Sequence, residues 1–143
     1  MNALIRDKCP DIIVNNTTGG SFGKPMEERV EILDAFPEMA TLNCGPNPLR
    51  MTLRKRDPPL GGRPSDVRID GLDLLPSSVW KEMELFAKIM MERDIKPEVE
   101  LYSSGQFWLV DNLVNQDLPK TPYFIQLVLG VQGGTYPTPK NLL

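Results

Sequence analysis

Apolar residues fall along this chain in two kinds of run. Some are nearly continuous or alternate with polar residues, as in strands, and others recur every three or four positions, as in helices. Residues 1–8 read as the tail of a helix, cut short by Cys9-Pro10. A β-branched strand follows at about Ile12–Asn16. Pro25 suits the first turn of a helix, and Glu27 and Glu28 suit the positive end of its dipole. Met26, Val30, Leu33 and, at its end, Phe36 share one face of that helix, and Pro37 stops it. Met39–Cys44 is a second, mostly buried strand. Ser77 or Ser78 caps the next helix, whose stripe of Trp80, Met83, Phe86, Ala87 and Met90 is core packing. A third strand at Glu98–Tyr102 alternates charged and apolar residues. Phe107–Val110 with Leu113 and Val114 makes a helix buried on a wide face. The last strand, Tyr123–Leu129, is nearly continuous apolar, as covered parallel strands are. The order is strand then helix, repeated, and the chain stops where another helix should begin.

Each strand ends in polar residues or glycines. A (β/α)₈ barrel builds its active site from such carboxyl ends. An open doubly wound sheet, with its ligand at a switch point, is the alternative. Thr17-Thr18-Gly19-Gly20 offers hydroxyls and backbone N–H groups to an anion. The same four residues also make a tight strand-to-helix turn with no ligand. Thr41 and Asn43 face one side of their strand, either toward a ligand or to hydrogen-bond neighbouring loops. Glu98, Glu100 and Tyr102 share one face of theirs. In an antiparallel sheet that face would be solvated. In a parallel barrel it points inward, where a carboxylate is costly unless it serves a site.

Length and apolar content, 143 residues and 41%, fit a single domain over 1–143 with its own core. Residues 46–76 form a long Pro/Gly-rich connection. Between Arg50 and Arg68 it carries Arg50, Arg54, Lys55, Arg56, Arg63 and Arg68 against Asp57 and Asp66, which reads as a solvated basic loop or as a clamp for phosphates. A net charge of −3 argues against a nucleic-acid partner. No apolar run approaches ~18 residues, so no membrane span is expected. The first residues lack the regions of a signal peptide. Cys9 and Cys44 have no metal or redox spacing and read as small buried hydrophobes of a reducing compartment, which places the chain in the cytoplasm. Histidine is absent, which excludes from this chain any triad or metal site that needs one.

Five blocks then stand out in order: Thr-Thr-Gly-Gly at 17–20, Glu-Met-Ala-Thr-Leu-Asn-Cys-Gly at 38–45, Pro-Glu-Val-Glu-Leu-Tyr-Ser-Ser-Gly at 97–105, Ile-Gln-Leu-Val-Leu-Gly-Val-Gln-Gly-Gly at 125–134 and Pro-Lys-Asn-Leu at 139–142. They resemble the β-keto acid cleavage enzymes, the family of the 3-keto-5-aminohexanoate cleavage enzyme. The resemblance implies an α/β fold, here a partial (β/α)₈ barrel of about four parallel strands matching strands three to six. It implies a zinc-dependent, oligomeric enzyme that exchanges the acyl part of a β-keto acid with acetyl-CoA, giving acetoacetate and a new CoA ester. It further implies that Thr17, Thr18, Gly19 and Gly20 hold the keto-acid end, that Thr41 and Asn43 line the same pocket, and that Glu100 orients substrate or relays a proton. Arg54, Lys55 and Arg56 are candidates for the CoA phosphates.

The chain departs from the family in lacking its His-x-His zinc pair, its glutamate near the seventh strand, its first-strand glutamate and its later catalytic arginine and aspartate. Gly45-Pro46-Asn47-Pro48 also replaces a more usual polar turn. A full barrel typically has about 250 residues. The expectation is therefore a fragment or truncated member: half a barrel holding substrate-side residues, with no zinc and no activity alone. Open edges near 12–16 and 123–129 would then invite self-association. The alternative is a non-catalytic anion-binding or structural domain.

Overall fold

The computed structural model describes residues 1–19, 24–45, 51–52, 68–69 and 79–142. Helix α1 (Asn2–Lys8) leads into strand β1 (Asn15–Asn16). Helix α2 (Met26–Val30) runs on into a 3₁₀ turn at Glu31–Ala35 and then strand β2 (Met39–Asn43). Two short strands, β3 (Met51–Thr52) and β4 (Arg68–Ile69), pair antiparallel within the long connection. Helix α3 (Val79–Glu92), strand β5 (Lys96–Leu101), helix α4 (Phe107–Asn115) and strand β6 (Phe124–Leu127) complete the main elements.

The main sheet has the order β1-β2-β5-β6, and every neighbouring pair is parallel. Parallel neighbours in chain order, joined through helices, are the build of a partial (β/α)₈ barrel. One sheet face packs on the helices. Ala40, Leu42 and Cys44 of and after β2 and Val99 and Leu101 of β5 meet Met83, Phe86, Ala87 and Met90 of α3 and Leu109, Val110 and Leu113 of α4 in one core. Alternation puts the polar residues of β2 and β5 on the opposite face.

Glu38 fixes where β2 begins. Its carboxylate accepts from Arg6 Nε at 3.0 Å and from the Val14 N–H at 2.9 Å, tying α1 and the start of β1 to β2. The Arg6 and Val14 bonds hold the Glu38 carboxyl below the ordinary glutamate value. No helix among the described residues is long and apolar enough to cross a membrane.

Several expectations need correction. Strand β1 is only Asn15–Asn16, and Ile12 and Ile13 lie before it, exposed. Their β-branched composition does not make a strand where no neighbour pairs with them. Phe36 leaves the α2 face because it adopts a left-handed backbone (φ 46°), which turns its ring to solvent. Trp80 is 48% exposed at the start of α3, while the other four members of its stripe are buried. Helix α4 buries a narrower face than expected, with Phe107 and Trp108 exposed. Cys44 is buried but Cys9 is exposed. Strand β6 is shorter than read, and all four of its residues are exposed, because it is bonded to β5 on one side and forms the sheet's outer edge.

Candidate functional site

The parallel register lines up the polar face of the sheet. Thr41 of β2 stands opposite Glu98 of β5, which stands opposite Phe124 of β6. One step nearer the carboxyl ends, Asn43, Glu100 and Gln126 form the next row. Asn15 of β1 reaches across β2 and donates to Glu98 Oε2 at 2.6 Å. Asn43, Glu100 and Gln126, far from Asn15 in sequence, thus meet it on one surface, because β1, β2, β5 and β6 run in the same direction.

The turn after β1 closes over this surface. Thr18 is 2% exposed. Its N–H donates to Thr41 Oγ1 at 2.9 Å, and its hydroxyl donates to the Thr41 carbonyl at 2.6 Å. Its own carbonyl accepts from Arg29 Nε at 2.9 Å. Thr18 is therefore a tether and not a presented donor. Thr17 is the exposed member of the pair. Its Oγ1 accepts from the Gly19 N–H at 3.2 Å and lies 3.4 Å from Thr41 Oγ1, which leaves the Thr17 hydroxyl proton free to donate outward. A Cβ at Gly19 would stand 3.4 Å from Thr17 Oγ1 and 3.9 Å from Asn43 Nδ2, so Thr17, Gly19 and Asn43 border one space.

Among the described residues, the half-buried side chains of Asn43 and Glu100 have no hydrogen-bond partner. Partial burial, and then the neighbouring Glu98 charge, push the Glu100 carboxyl above the ordinary glutamate value. Burial and the Glu100 charge raise the Tyr102 phenol in the same way. Burial pushes the Cys44 thiol up to about 12, so it is an inert packing group. Lys96, at the far end of the same face, is turned away, its ammonium bonded to the carbonyls of Lys120 and Pro122.

Two glycines lock the carboxyl ends. Gly45 has φ +129°, and a Cβ there would stand 2.8 Å from Gln106 Nε2. Gln106 in turn accepts from the Tyr102 N–H at 2.6 Å within a capping box with Ser103. At Gly134 a Cβ would approach the Tyr102 carbonyl to 2.8 Å, the same carbonyl that accepts from the Thr135 N–H. The glycine-rich return after β6 is thereby fastened beside the end of β5.

Of the sequence-predicted residues, Thr17, Gly19, Thr41, Asn43 and Glu100 come together at one end of the sheet. Gly20, Arg54, Lys55 and Arg56 lie outside the described residues. Sequence reasoning missed Asn15, Arg29, Gln106 and Gln126. Only the strand alternation carried a signal for Gln126, and nothing in the spacing links Arg29 to Thr18.

A family model described as beta-keto acid cleavage enzyme matches residues 1–143. The chain belongs to the β-keto acid cleavage enzyme family. It is 33% identical over 128 residues to a 3-keto-5-aminohexanoate cleavage enzyme of Fusobacterium nucleatum, covering 90% of this chain and 39% of that protein. It is 30% identical over 139 residues to the enzyme of the same name from Acetoanaerobium sticklandii, covering 97% and 43% respectively. A 3,5-dioxohexanoate:acetyl-CoA acetone transferase of Paraburkholderia graminis is 26% identical over 147 residues, with 96% and 45% covered. The chain thus spans less than half the length of these curated relatives. The zinc expected from the family does not fit the residues present: the chain has no histidine, and no three His, Cys, Asp or Glu side chains gather as a ligand set among the described residues.

Proposed function

We propose that this chain supplies one wall of a β-keto acid cleavage site. The reaction joins a β-keto acid R-CO-CH₂-COO⁻ with acetyl-CoA and yields acetoacetate and R-CO-CoA. The carbon–carbon bond between the keto carbon and the CH₂ breaks and one forms between that CH₂ and the acetyl carbon, while the CoA sulfur leaves the acetyl carbon and bonds the keto carbon, so no oxidant or reductant is needed. In this reading the Thr17 hydroxyl and the Asn43 amide donate to the keto-acid end, and Thr41 holds Thr17 and Thr18 in place. Glu100 stands across from Asn43, where its raised carboxyl can hold or pass a proton within the site. The chain belongs to a zinc-dependent enzyme of this kind as a partial member, and the remaining catalytic groups come from outside it. Arg54, Lys55 and Arg56 take the CoA phosphates, and the open outer strands associate with further strands.

The observation that carries the reading is the row of Asn43 and Glu100, without hydrogen-bond partners among the described residues, at the carboxyl ends of parallel strands in a chain of this family. A plain anion-binding turn is less well supported. The described backbone N–H groups of Thr18 and Gly19 already bond Thr41 and Thr17. Titration with acetoacetate, followed by the backbone amide and Asn side-chain signals, tests the reading. Shifts confined to Thr17, Gly19, Asn43 and Glu100 support it. Equal shifts with inorganic phosphate, or none with acetoacetate, overturn it.

A further inference from the structure

We infer that Arg29 is the positioning residue of the Thr17–Gly19 turn. It transmits the fixed geometry of α3 to the wall of the site. The functional half of this inference rests on the keto-acid reading above, and its structural half does not.

Thr18 is the hinge of the argument. Three of its polar groups are satisfied by two residues only. Thr41 takes the N–H and the hydroxyl, and Arg29 Nε takes the carbonyl at 2.9 Å. Thr41 belongs to the sheet and is rigid by pairing. Arg29 stands on α2, a helix of five residues too short to be rigid unaided. Its guanidinium is held instead by α3. One terminal nitrogen bonds the Glu82 carboxylate, with both side chains largely buried, and the group lies over the Phe86 ring at 5.2 Å from its centroid. Phe86 is itself buried in the core.

A guanidinium holds its donors in a rigid planar fork, so seating it over a ring and pairing one terminal nitrogen with a carboxylate restricts where Nε points. That third direction ends on the Thr18 carbonyl. The result is a continuous chain of contacts from the core helix through Phe86, Glu82 and Arg29 to Thr18, and from Thr18 to Thr17 and Gly19. Lysine can keep the charge and the pairing with Glu82. It cannot present a second donor at a fixed angle, so Arg29→Lys separates positioning from charge. Among the described residues Arg29 bonds Thr18 and Glu82, and it acts on the site through Thr18.

The test is amide hydrogen exchange on the whole chain together with acetoacetate titration, for the wild type and Arg29→Lys. The expected result is faster exchange at the Thr18 N–H, by about tenfold, the size that loss of one buried hydrogen bond permits. Protection at Leu42 and Val99 in the paired strands stays unchanged, and acetoacetate binds several-fold more weakly. Unchanged Thr18 exchange with the sheet intact overturns the inference. Equal acceleration at Thr18, Leu42 and Val99 also overturns it, since Arg29 would then serve general stability only. Should Arg29→Lys fail to fold, Glu82→Gln replaces it, with the same local pattern expected at smaller size and the same outcomes decisive. If the wild type does not bind acetoacetate, the keto-acid reading fails, while the exchange pattern still decides whether Arg29 positions the turn.

Discussion

Strands β5 and β6 lie side by side and reverse what their compositions promise. β5 carries Glu98 and Glu100, yet Pro97, Val99 and Leu101 are buried. β6 is apolar apart from Gln126, yet all four of its residues are exposed. Leu101 and Leu127 are register partners on this ladder and are 2% and 45% exposed. The difference is one of neighbours. β5 has β2 on one side, β6 on the other and α3 and α4 across its outer face. β6 has β5 alone among the described strands. Burial follows from what the fold places around a strand, and an apolar sequence only permits it.

The largest test of this contrast is on α3, which covers the centre of the sheet. Phe86→Ala should cost about 3–5 kcal/mol by urea denaturation, because it opens a cavity in the core. Trp80→Ala, on the exposed end of the same helix, should cost about 1 kcal/mol or less. Equal losses would mean that the exposed ring is covered in solution. Next comes the ladder pair itself. Leu101→Ala should cost about 2–5 kcal/mol, and Leu127→Ala less than about 1 kcal/mol. If Leu127→Ala proves as damaging as Leu101→Ala, β6 is buried in solution by association, and its cost should then depend on protein concentration.

On the polar face the same logic separates Thr41 from Asn43. Thr41→Val strands the buried Thr18 N–H and should cost about 1–3 kcal/mol. Asn43→Ala removes an amide with no partner among the described residues and should leave the denaturation midpoint nearly unmoved while abolishing any acetoacetate-induced shift. A matching loss of stability in both variants would remove Asn43 from the presented group.

The smallest effects are in pH dependence, and two glutamates should show opposite signs. Glu38 has a depressed carboxyl, so its ionised form favours the folded state. Its contribution is full above the ordinary glutamate value and is lost as pH falls through the lower folded one. Glu38→Gln should therefore destabilise at neutral pH, with the gap closing in acid. Glu100 has a raised carboxyl, so ionisation works against the fold. That penalty is full above the raised value and absent below the ordinary one. Glu100→Gln should stabilise slightly at neutral pH, with no difference from wild type in acid. Denaturation midpoints across pH 3 to 8, on the order of the range where carboxyls titrate, check both, and a shared sign would refute the assigned environments.

Much of the fold was legible from local pattern. The alternation in Glu98–Leu101 gave the two faces of β5, and the spacing of Met83, Phe86, Ala87 and Met90 gave the buried stripe of α3. Thr41 and Asn43 were placed on one face for the same reason: side-chain direction in a strand is set by the backbone of the strand itself. Phe36 and the run at Ile12-Ile13 were misread because the first depends on a left-handed turn and the second on a pairing partner. Neither leaves a mark on periodicity.

The sequence alone determined the order of elements, the polar faces and the family to which the chain belongs. It did so because periodicity and motif are properties of neighbouring residues. Only the tertiary structure decided that Thr18 is a buried tether and Thr17 the presented hydroxyl, that Arg29 reaches Thr18 from a pairing with Glu82, and that β6 lies open. Each of those is a contact between segments distant in the chain, and no local pattern encodes which of two adjacent hydroxyls will meet Thr41 when the strands come together.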